Sequence, residues 1–180
     1  MVRIQPGKSS LACASGTSSP QICLQYADMG NLIDNHDKEE IVRRIGSLSP
    51  ESKPQWGSMT AGQMICHVAD PIRAVLGTRE TPSKVPFFLK PIVKWRLLKK
   101  PRRRNSPTLR LFRQGSKGEG TRPTRFESDR SALLDLIDTL CSKDADFVFH
   151  HPAAGTLTRE EAGTIVWGHL DHHLAQFGIR

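Results

Sequence analysis

Residues 158–178 read TREEAGTIVWGHLDHHLAQFG. Thr158 followed three residues later by Glu161 is a capping box, the local signature of a helix start. Gly178 is a natural C-terminal stop. Between them Ala162, Ile165, Val166, His169, His173, Gln176 and Phe177 recur at helical spacing and define one face. The histidines therefore continue an apolar stripe and do not lie on the polar back. His169 and His173 are four apart, so they stand one above the other on the helix. Two imidazoles so placed can bind one metal ion.

Three further segments carry the same periodicity. The first spans about Asn35 to Leu48, with Ile41, Ile45 and Leu48 as its stripe and Asp37, Glu39 and Glu40 suited to its N-terminal dipole. The second spans about Thr60 to Leu76. Thr60 and Gln63 form another capping box, and Met64, His67, Val68, Pro71, Ile72 and Val75 share a face. Pro71 lies inside this pattern and should kink the helix. The third spans about Asp129 to Cys141, with Leu133, Leu136, Ile137 and Leu140 facing inward and Ser128 or Asp129 as N-cap. Four amphipathic helices with no clear strand pattern predict an all-α fold, a four-helix bundle.

At 180 residues the chain is long enough for one domain with a real core. That domain is placed at residues 35–180. Residues 1–34 read as a disordered tail, rich in Ser, Gly, Ala and Pro up to about Gly30. Met29, just before the first helical pattern, is a candidate start residue. Residues 82–125 are a basic connection in which Pro82, Pro86, Pro91, Pro101, Pro107 and Pro123 break any long element. Phe87 to Leu98 has room for one short helix.

The net charge of +8 is not spread evenly. Between Glu80 and Glu119 there are twelve Lys or Arg and no acid, so everything else sums to −4. The four cysteines, Cys13, Cys23, Cys66 and Cys141, form no C-x-x-C pair and give poor material for a disulfide framework or a Cys-based zinc site. A reducing cytoplasm is the expected compartment. No apolar run approaches the length of a membrane span.

His67 lies mid-helix on a face predicted to be buried, as do His169 and His173. Burying three imidazoles without partners is costly, whereas a divalent cation satisfies them together. Three neutral histidines leave such a cation with open positions, the pattern of a catalytic site and not of a closed structural one. The plainer alternative is three separate core histidines, each hydrogen-bonded. His172 competes with the i,i+4 pair but sits on its flank, and is placed at the rim. Asp70, three after His67, is either a group that orients an imidazole or binds the ion, or a solvated helix charge. Asp171 points away toward solvent. Cys66 and Cys141 read as core residues.

The run Lys94 to Arg104 is the densest charge. Lys99, Lys100, Arg102, Arg103 and Arg104 could form an anion site for nucleic acid, anionic lipid or an acidic thiol cofactor. Trp95, Phe87 and Phe88 would suit a membrane-surface or stacking contact. A solvated loop is the plainer expectation, since no nucleic-acid-binding motif accompanies the run.

Residues 169–176, HLDHHLAQ, resemble the H-x-x-H-H-x-x-Q signature that closes the last helix of the DinB-like (damage-inducible, YfiT-like) superfamily. Residues 56–67, WGSMTAGQMICH, resemble the helix bearing that family's first histidine. Residues 151–158, HPAAGTLT, resemble the loop before the final helix in a bacterial subgroup of unknown function. The resemblance covers roughly residues 35–180. It implies a four-helix bundle whose metal ligands are His67, His169 and His173, with Gln176, His172 and Asp70 around them. Zinc or nickel is the implied metal. The implied activity is thiol S-transfer, in which the ion activates a low-molecular-weight thiol toward a small-molecule substrate. Metal-dependent hydrolysis, in which the ion activates water, is the alternative. A non-enzymatic binding module built on the basic connection is the third. A homodimer is compatible with exposed helical faces. Residues 84–117 are longer and more basic than the equivalent connection in many relatives, and Ala153 and Ala154 replace an aromatic residue.

Overall fold

The computed structural model describes residues 29–100, 102–104 and 108–180. Among them are five α-helices and one hairpin: α1 (Asn35–Gly46), α2 (Ala61–Val75), α3 (Lys90–Lys99), α4 (Phe126–Cys141), β1 (Phe149–His151), β2 (Gly155–Leu157) and α5 (Arg159–Gln176). The protein is thus mostly helical with a small antiparallel sheet, which departs from the all-α expectation. None of these helices is long and apolar enough to cross a membrane.

Both capping boxes form. Thr60 Oγ1 accepts from the Gln63 amide and Gln63 Oε1 accepts from the Thr60 amide. Thr158 and Glu161 do the same at α5. Each cap satisfies two amide donors that the helix itself cannot. Pro71 sits inside α2 without ending it. Gly178, just past α5, takes a positive φ of 75°, the left-handed conformation that stops a helix.

α4 starts earlier than its charge pattern predicts. It begins at Phe126 with Arg125 as N-cap and no side-chain cap bond. Asp129 instead reaches back to accept from the Thr124 amide at 2.8 Å and its hydroxyl at 2.9 Å. Phe126 packs against the core, so the entry to α4 is set by tertiary burial and not by a local cap.

Residues 1–28 of the expected tail lie outside the described residues. Residues 29–34 do not behave as a tail. Leu32 is buried, its carbonyl accepts from Cys141 Sγ at 3.1 Å, and Asp34 caps α1.

α2 is the central element, packed against α4, α5 and β1, while α1 and α3 lie on α5. The predicted stripes turn inward, with Pro71 and Leu136 only half-buried. Ile41 and Ile45 from α1, Val68 and Ile72 from α2, Leu133 and Ile137 from α4, and Ala162 from α5 are fully buried, as are Ile65, Leu170 and Leu174, which lie outside the predicted stripes. Each such Val, Leu or Ile side chain contributes about 1.5–3 kcal/mol through its removal from water. The hairpin pairs Phe149 with Leu157, both buried, and His151 with Gly155. His151 Nδ1 accepts from the amides of Ala153 and Ala154, both at 3.1 Å, which closes the turn. Strands of three residues are too short to show alternation in sequence.

The connection between α2 and α4 holds a 3-10 turn at Phe87–Leu89, then α3, then a second 3-10 turn at Arg110–Phe112. α3 is the short helix for which Phe87 to Leu98 has room, beginning at Lys90 after the 3-10 turn. Phe112 is buried, so the connection returns to the body at that point.

Candidate metal centre

α2 and α5 bring the buried faces of their histidines together. His67, His169 and His173 are 5%, 7% and 8% exposed. One donor nitrogen from each lies within 4.8 Å of the others. His67 Nε2 and His169 Nε2 are 3.3 Å apart. Two nitrogens bound tetrahedrally to one zinc-sized ion are separated by about 3.3 Å, from bond lengths of roughly 2.0–2.1 Å. The His67 ring also lies edge-on to His173, with centroids 4.7 Å apart.

Hydrogen bonds decide which nitrogens are free. His67 Nδ1 is 2.8 Å from the carbonyl oxygen of Phe112. A carbonyl only accepts, so Nδ1 carries the proton and Nε2 presents its lone pair inward. His173 Nδ1 is 2.8 Å from Gln176 Oε1, and Gln176 Nε2 donates to the Trp56 carbonyl at 2.6 Å. The Trp56 contact orients the amide, and the amide fixes the His173 tautomer. Imidazoles held at one nitrogen by an acceptor, with the other nitrogen turned to a shared point, have the usual form of metal-binding histidines.

The site disfavours protons. Burial pushes His169 well below the ordinary histidine range and His173 down to about 3. Burial also lowers His67, partly opposed by the Phe112 hydrogen bond. Arg102, half-buried, adds like-charge repulsion to each of these, and to His172. Neutral imidazole, the ligating form, therefore prevails near neutral pH.

The other expected site residues divide. Gln176 touches His173, as described. His172 stays at the rim, its ring edge-on to His173 with centroids 4.9 Å apart and to Trp56 at 6.2 Å. Asp70 is neither an imidazole partner nor a solvated charge. It is fully buried and its carboxylate takes Arg79 Nη1 at 2.5 Å, Arg73 Nη1 at 3.1 Å, the Thr121 amide at 2.8 Å and the Thr121 hydroxyl at 2.6 Å. Arg79 in turn donates to the carbonyls of Leu111 and Glu119, at 3.0 and 2.9 Å. Asp70 thus anchors the segment whose next carbonyl, that of Phe112, holds His67. The role of Phe112 is invisible in sequence, because any residue has a carbonyl.

The five basic residues differ in their surroundings. Lys99 and Lys100 are exposed at the end of α3, Arg102 turns toward the histidines, Arg103 is exposed, and Arg104 stacks on Trp56 at 4.2 Å. Asp171 does not simply face solvent; it pairs with buried Arg44 at 2.9 Å. Cys66 is a core residue, and burial pushes its thiol up to about 11. Asp34, His36 and Asp37 also cluster, but Asp34 and His36 are exposed and the Asp34 carboxylate caps α1.

A family model described as "Protein of unknown function (DUF1569)" matches residues 30–179. No curated protein and no solved structure matches the chain. The match carries no link to the DinB-like superfamily.

Proposed function

The chain belongs to the DUF1569 family of proteins of unknown function, and for it we propose a metal-dependent enzyme of DinB-like type, its four longer helices forming the bundle of that superfamily. His67, His169 and His173 hold one divalent ion, zinc or nickel by donor chemistry. The observation that carries this is the pair of Nε2 atoms at 3.3 Å, with the Nδ1 proton of His67 already committed to a carbonyl. With His169 in the tautomer that also leaves its Nε2 bare, a cation between the two nitrogens satisfies both lone pairs at once.

When bound, the ion supplies Lewis acidity that turns a coordinated thiol into a nucleophile at neutral pH. The protein's own groups set the conditions for that chemistry. Phe112 and Gln176 hold His67 and His173 in the ligating tautomer. Burial keeps the three rings neutral. Arg102 adds positive potential that favours an anionic ligand, consistent with a thiolate or a carboxylate-bearing substrate.

Elemental analysis of the purified protein tests the proposal. One equivalent of metal per chain is expected, lost in His169→Ala. Equal, negligible metal in both would end it. For a metal-loaded protein, turnover that requires glutathione, mycothiol or bacillithiol supports S-transfer. Hydrolysis of esters or amides without thiol would replace that reaction with the hydrolytic one.

A further inference from the structure

α3 carries apolar side chains on two faces, unlike α1, α2 and α4, whose apolar residues gather on one. Val93, Leu97 and Leu98 rest against the core. Lys94 locks the helix down, pairing with Glu161 at 2.5 Å and donating to the Thr156 carbonyl at 3.1 Å. That leaves a second apolar stripe facing out: Phe88, Ile92 and Trp95, at i, i+4 and i+7, are 64%, 62% and 57% exposed. Phe87, beside Phe88, is 82% exposed. Single exposed hydrophobics are ordinary, but a contiguous stripe of large ones marks a surface that binds something.

Charge selects the occupant. The stripe is rimmed by Arg96, Lys99 and Lys100, with Lys100 Nζ lying 5.9 Å from the Trp95 ring centre. No acid occurs between Glu80 and Glu119. A second copy apposed on this face would bring one basic segment against another. Nucleic acid would satisfy the cations and stack on the aromatic rings, but would leave Ile92, in the middle of the stripe, without an apolar partner. An anionic bilayer satisfies both, with the apolar stripe at the acyl boundary, Trp95 at headgroup level and the lysines reaching to phosphate.

We infer that α3, with the Phe87–Phe88 turn before it, is a docking surface for anionic membranes. The protein is held on the bilayer face and does not span it. This stands independently of the metal centre, because no residue of the stripe touches the three histidines.

Co-sedimentation of the full chain with phosphatidylcholine vesicles, with and without phosphatidylglycerol, tests it. Binding is expected only with the anionic lipid and should weaken with salt. The Phe88→Glu/Ile92→Glu variant should bind about tenfold more weakly or worse, given the apolar area lost and the charge gained. Lys99→Glu/Lys100→Glu should also weaken it. His169→Ala should bind vesicles as wild type does, so loss of the metal centre and loss of docking are separable. A circular-dichroism melt unchanged from wild type checks folding, and Phe87→Ser offers a milder variant at the most exposed position. No association with anionic vesicles at low salt overturns the inference. So does undiminished binding by Phe88→Glu/Ile92→Glu, a wild-type dimer that Ile92→Glu dissolves, or preferential binding of an oligonucleotide.

Discussion

Replacing Asp70 by Ala should be among the most damaging single changes in this protein, although Asp70 touches none of the three histidines. Its carboxylate is fully buried and accepts from two guanidinium groups and from both donors of Thr121. Removing one partner of a buried ion pair costs about 3–5 kcal/mol, mostly because the remaining charge is left uncompensated. Arg79 and Arg73 keep 19% and 28% of their side-chain surface in solvent and recover some hydration, so the lower end, about 3 kcal/mol, is expected. At roughly 2–4 °C per kcal/mol for a chain of this size, the melting temperature should fall by about 6–12 °C. Urea melts of wild type, Asp70→Ala, Arg79→Ala and the double variant give the coupling directly. The loosened Leu111–Phe112 segment should also cost about 10–100-fold in metal affinity, as loss of an outer partner does elsewhere. A stability change within about 0.5 kcal/mol, the range of an ordinary surface substitution, would refute the placement of Asp70 as a buried anchor.

Three other outcomes are expected. Gln176→Leu removes the acceptor on His173 Nδ1 and should weaken metal binding about 10–100-fold in a chelator-competition titration; unchanged affinity would detach Gln176 from the site. The metal-free protein should lose stability on acidification. His169 and His173 bind protons far less readily when folded than at their ordinary value near 6.5, so the unfolded chain takes up more protons below that pH. Their contribution is complete above about pH 6.5 and falls by up to about 1.4 kcal/mol per pH unit for each ring, for His173 until pH nears its folded value of about 3. Urea melts at pH 7.5 and 5 in chelator measure this, and equal midpoints would contradict it. Finally, Cys66 should resist Ellman's reagent in the native protein and react on unfolding, because its buried thiol is pushed up to about 11; rapid native modification of Cys66, mapped by mass spectrometry, would show the site to be open.

What could be read along the chain was what depends on neighbours a few residues apart. Thr60 with Gln63 and Thr158 with Glu161 are interactions across three residues, and both form as read. The stripes Ile41–Ile45 and Leu133–Ile137–Leu140 follow from helical periodicity alone and are buried. Where local preference and packing diverged, packing won. Asp129 looks like a cap, but α4 begins at Phe126, whose half-buried ring packs against the core. The strands around Phe149 and Leu157 are set by each other across the hairpin and leave no pattern of their own.

The candidate site divides in the same way. Local spacing placed His169 and His173 on one face of α5 and put His67 on the inward face of α2, since helical geometry is a property of the backbone at short range. Whether those faces meet, and with which nitrogens turned inward, depends on contacts between distant segments. His67 is held by a carbonyl 45 residues away, and Asp70 by Thr121, 51 residues away. A main-chain carbonyl has no residue signature, and a buried carboxylate looks like a solvated one until its arginines are placed around it. The sequence by itself therefore determined the helices and the three candidate ligands, through interactions of short range. Only the tertiary structure decided the tautomers, the work of Asp70 and the outward stripe on α3, because each depends on which surfaces the folded chain brings together or leaves uncovered.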